Sequence, residues 1–124
     1  NFGDGAIHRI AFGPGGKVTG NGVWAVDLKE MRTTDGIGFD AHGNLYVADF
    51  SENAVAVVTP DAKVCRIAKS PDSDGSKGEL DQPGEPMVWN GKLIVTCFDK
   101  VTGPDKVNTK HDRPYTIVEL DIVK

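Results

Sequence analysis

The strongest constraint on this sequence is that it repeats. HGNLYVADF (42–50) and NGKLIVTCF (90–98) superpose at an offset of 48 residues, and AIHRI (6–10) meets AVAVV (54–58) at the same offset. The segments between are short and rich in Val, Ile and aromatic residues, as strands are. They are cut by AHGN, SEN, PDAK and NG, which supply the positive or pre-set φ that a chain reversal needs. The most helix-like run, WAVDLKEMR, is short and uncapped, and reads instead as a strand, GVWAVDL, entering a turn. The strands predicted on this pattern are 6–12, 22–28, 36–40, 45–50, 54–60, 64–68, 86–89, 93–98 and 116–122. The fold class is all-β, a meander of antiparallel hairpins.

A period in the forties to about fifty, with three or four strands per unit, is the sequence mark of a β-propeller. Residues 6–28 supply two strands, 35–68 four, and 86–122 three with an insert. That makes about two and a half four-stranded blades, whereas propellers close with roughly four to eight. The chain therefore reads as one partial propeller over 1–124: outer strands of one blade in 1–30, a complete blade in 33–70, and a blade with an insert at 99–113 in 80–124. Ring closure would need self-association or pairing with missing blades. Alternation places Leu45 and Val47 on one face of the complete blade and Tyr46 and Ala48 on the other. Blade stacking is expected to bury Ile37, Phe39, Val47, Val55, Val57, Val88, Leu93 and Val95.

Composition narrows the partners. Fourteen Lys+Arg against eighteen Asp+Glu give a formal charge of −4 without basic clusters, which argues against nucleic-acid binding. No apolar run approaches the ~18 residues of a membrane span, so a soluble chain is expected, and its start at Asn1 reads as a cut or processing point. Cys65 and Cys97 lack the C-x-x-C spacing of a zinc or redox pair and sit in apolar-alternating segments, where buried free thiols are expected.

At TTDGIGFDAHGNLYVADFSENAVAVVTPDAKVCRIA (33–68) the sequence resembles the family of gluconolactonases, the senescence marker protein regucalcin and the luciferin-regenerating enzymes. PMVWNGKLIVTCFD looks like that family's next blade, and TIVELDI is similar to its closing strand. The resemblance covers about residues 5–122 and implies the carboxy-terminal part of a six-bladed propeller. It implies a lactone as substrate and a divalent cation at the channel mouth, calcium first, with zinc or magnesium as the other choices. By the match of TTDGIGFD to the family's D-G motif, Asp35 would be a metal ligand and, as ligand or base, a catalytic residue. The family's glutamate near the amino terminus and its asparagine from an earlier blade have no counterpart here. The hairpin GFDAHGNLYVAD also resembles the NHL repeat, which implies a binding scaffold without catalysis. A third reading is a fragment that keeps the fold and lacks the activity.

The residues themselves leave alternatives open. Asp35 precedes Gly36 and fits a turn former as well as a hard oxygen donor. Asp40 at the start of a turn and Asp49 at a strand end are expected to bond nearby backbone. Glu85 in QPGEP faces either the channel mouth or solvent. His8, His42 and His111 have no metal-ligand neighbour at short spacing, and no Ser-His-Asp or Cys-His arrangement is visible.

Overall fold

The computed structural model describes residues 1–98, 100, 101, 103–110 and 115–122. His111 and much of the segment around it lie outside the described residues. The described chain is all-β, without an α-helix, in three antiparallel sheets, none of them closed. The first pairs β1 (Ala6–Phe12) with β2 (Val18–Val26). The second runs in chain order through β3 (Ile37–Phe39), β4 (Leu45–Asp49), β5 (Ala54–Val58) and β6 (Val64–Lys69). The third joins β7 (Pro83–Trp89), β8 (Lys92–Cys97) and β9 (Ile117–Asp121).

Local chemistry sets the hairpins. Asn90 and Gly91 both take positive φ (48° and 76°) and close a two-residue loop in which Trp89 faces Lys92. That is the loop whose twist matches the flanking strands, and Asn-Gly meets its need for two left-handed residues. Between β3 and β4, Asp40 closes the turn with its side chain, accepting from the backbone N–H of His42 and Asn44 at 2.9 Å each and from Asn44 Nδ2 at 2.8 Å.

Every residue of β4 and β5 is buried, because the second sheet is covered on both faces. Leu45, Val47, Ala56 and Val58 pack with Ile7, Ala25 and Met31 on the side of the first sheet. Tyr46, Val55 and Val57 pack with Leu93, Val95 and Val118 of the third. Period-two alternation thus sorts one strand into two cores, and each buried Leu or Val contributes about 1.5–3 kcal/mol.

Several expectations need correction. Val47 belongs to the contact with the first sheet, apart from Val55, Leu93 and Val95. Ile37 and Phe39 are not buried between blades; they are 46% and 61% exposed. Gly38 of β3 and Gly36 just before it face β7, and the large side chains of β3 face the first sheet, whose two strands leave them uncovered. The strand expected over 22–28 runs instead from Val18 to Val26, because Asp27 closes a turn there: its backbone C=O accepts from Met31 N at 2.8 Å and its carboxylate from Lys29 N at 3.0 Å. Both cysteines are free and Cys97 is buried, but Cys65 is exposed on the outermost strand of its sheet, where no further layer covers it. No helix among the described residues is long and apolar enough to cross a membrane.

Candidate functional site at the start of β3

The approach to β3 is held by two buried or half-buried anchors. Glu30 accepts from the backbone N–H of Arg66 at 2.8 Å. Asp49, fully buried at the end of β4, accepts from Arg32 N at 3.0 Å, Thr33 N at 2.9 Å and Thr33 Oγ1 at 2.7 Å, with the Arg66 guanidinium 3.9 Å away. The chain then enters the ladder: Asp35 N donates to Ala48 O at 2.9 Å and Gly36 N to Gly84 O at 2.7 Å. This last bond ties the first strand of one sheet to the first strand of the next. A Cβ at Gly36 would overlap the Gly84 carbonyl and the Glu85 carboxylate, so only glycine allows the crossing.

Asp35 therefore has a fixed backbone and an exposed side chain. Its carboxylate has no hydrogen-bond partner among the described residues, and it borders a groove of about 380 Å³ with Asn1, Ile7, His8, Asn21 and Thr34. Desolvation by the groove walls raises its carboxyl above the ordinary value. Thr34, 4% exposed, carries an Oγ1 without a partner among the described residues. Glu85 is exposed on β7, with its backbone N–H donating to Thr96 Oγ1 at 3.2 Å, and its carboxylate lies against Gly36. The structure thus brings Asp35 and Glu85 to the same end of adjacent strands.

The other candidates go elsewhere. Asp40 is spent on its turn: partial burial works to raise its carboxyl, but the bonds from Asn44 and His42 outweigh this and hold it below the ordinary value. His42 is exposed in that turn. His8 lies in the Asp35 groove, with Nε2 3.1 Å from Asp4 Oδ2. The Asp4 carboxyl is lowered, chiefly by the backbone N–H of Ala6. Sequence reasoning missed this pair, although the four-residue spacing from Asp4 to His8 at a strand entry was there to be read.

A calcium ion takes about 6–8 oxygens. Among the described residues no three of His, Cys, Asp or Glu converge to hold a metal ion. Among the described residues Asp35 is the one carboxylate bordering its groove, so these donors do not by themselves fit a resident cation. A comparison of the sequence with known protein families and with curated proteins finds no match.

Proposed function

We propose that the chain is about two and a half blades of a β-propeller, and that the completed ring is a metal-dependent lactone hydrolase to which Asp35 contributes one ligand. The observation that carries this reading is the Gly36–Gly84 crossing. It sets the first strands of consecutive sheets side by side, with Asp35 and Glu85 near the same end of them, as the inner strands of neighbouring blades would lie. The likeness of TTDGIGFD to the gluconolactonase motif supports the lactone class. Among the described residues the Asp35 carboxylate has no partner, and Asp49 positions it through the backbone of Arg32 and Thr33.

Because the described donors are too few, the isolated chain binds divalent cation weakly and does not turn over lactone. Titration calorimetry with calcium, zinc and magnesium, beside a lactone hydrolysis assay, tests this on the chain and on Asp35→Asn. Weak binding that disappears in the variant, without turnover, is expected. Tight binding or clear turnover that survives Asp35→Asn overturns the reading, because the site would then lie elsewhere. The NHL-type scaffold is the second reading. It draws on the same hairpin and on a donor set that stops at Asp35, and it requires no response to any cation.

A further inference from the structure

The repeat extends to the first residue, where it marks an open slot in the first sheet. Phe50 and Phe98 follow the last residues of β4 and β8, and Phe2 stands at the same 48-residue offset. The three rings form one edge-to-face ladder, 5.8 Å from Phe2 to Phe50 and 5.7 Å from Phe50 to Phe98. Three residues after Phe2 and Phe50 come left-handed residues, Gly5 (φ 61°) and Asn53 (φ 50°), each followed by the alanine that opens a strand, Ala6 or Ala54. Asn1 therefore stands where Asp49 stands. Asp49 is paired with Ala54, and Asn1 already donates its terminal N–H to Ala6 O at 2.8 Å.

In the second sheet the strand ending at Asp49 covers the edge of β5. β1, the counterpart of β5, is paired with β2 alone among the described residues and leaves its other edge open. Beside that edge runs an apolar groove of about 430 Å³, to which Ile10, Ile37 and Phe39 contribute at 50%, 46% and 61% exposure. Ile7 and Leu45 line the groove and also belong to the buried cluster between the first and second sheets. The groove is thus the uncovered continuation of an interface that the molecule already uses.

We propose that this slot seats a two-stranded β-hairpin of the β3–β4 kind. Its second strand hydrogen-bonds the free edge of β1 as β4 does that of β5, and its first strand lies beside β3 as β3 lies beside β7. The alternate apolar residues of such a hairpin cover Ile37 and Phe39, and its backbone satisfies the open N–H and C=O groups of β1. The inference rests on sheet pairing and is independent of the chemistry at Asp35.

The test places a copy of residues 36–48 directly ahead of Asn1 and compares it with a scrambled version of the same composition. Thermal unfolding, hydrogen exchange of β1 and binding of an apolar-surface dye are measured, with native mass for both chains and for the unextended one. The copy is expected to raise Tm by about 4 °C or more over the scrambled control. It should also protect the β1 amides that point away from β2 and reduce dye binding, in a monomer. Phe39→Ser should lower Tm in the extended chain and leave the unextended chain unchanged. Equal Tm and equal β1 protection in copy and scramble overturn the proposal. So does an unextended dimer with β1 already protected, since the slot would then belong to a second copy.

Discussion

Asp49 and Asp40 are both strand-flanking aspartates, yet only one could be read from its neighbours. The bonds of Asp40 run two and four residues ahead, to His42 and Asn44, and an Asp opening DAHGN announces that turn. The partners of Asp49 lie 16 and 17 residues back, and no spacing rule reaches them. Asp49→Ala is expected to cost about 3 kcal/mol in urea denaturation, since it removes the acceptor of three part-buried hydrogen bonds and the buried carboxylate beside Arg66. Asp40→Ala should cost about 1 kcal/mol at neutral pH, its bonds being part-exposed. The sign follows from the shift: Asp40 has a lowered folded value, so its contribution is full above the ordinary carboxylate range and lost as pH falls through the folded value. Asp35 runs the other way, because its raised carboxyl penalises the folded state once ionised. Asp35→Asn should therefore stabilise the chain slightly at pH 7, with the gain vanishing in acid below the unfolded value. A chain that gains nothing at pH 7 would mean that the groove does not desolvate Asp35.

Strands and hairpins were legible because each is a local pattern: alternation, then Asn-Gly or Asp-x-x-Gly. How one sheet meets the next was not legible, since it depends on where side chains are absent. Gly36 and Gly38 read as ordinary turn and strand glycines, but they let β3 approach β7 backbone to backbone, and a Cβ at Gly38 would come within 2.5 Å of the Pro86 carbonyl. Pro86 suits this place because β7 is an edge strand of its own sheet, and an edge tolerates a missing N–H. The same crossing explains the misplaced Ile37 and Phe39: with glycine turned toward β7, alternation sends the large residues to the other side. Gly38→Val is accordingly expected to destabilise by roughly 1–3 kcal/mol. It should also break the Gly36 N to Gly84 O bond beside it, measurable as faster hydrogen exchange of the Gly36 amide. A variant of unchanged stability would show that β3 and β7 do not touch through this residue.

At the scale of the whole molecule the described residues form three sheets in series with the middle one buried twice, and this layering dictates how stability is distributed. Leu93 and Val47 are both inaccessible to solvent, but Leu93 packs in the core between the second and third sheets and Val47 in the core between the first and second. The clusters share no buried member, although both are built on β4 and β5. Leu93→Ala should cost ~2–5 kcal/mol through lost transfer energy and the cavity left behind. Val47→Ala removes less volume and should cost roughly 1–3 kcal/mol. Because neither residue belongs to the cluster of the other, the double variant should match the sum within about 0.5 kcal/mol, provided unfolding remains a single transition. Equilibrium urea unfolding of the four chains closes the cycle. A coupling well beyond that margin would mean that the two residues share one core, which a layered order of sheets does not allow. If instead Val47→Ala splits the transition while Leu93→Ala does not, the first sheet detaches on its own. The two-stranded sheet would then be the weak member, as its open β1 edge and uncovered groove lead one to expect.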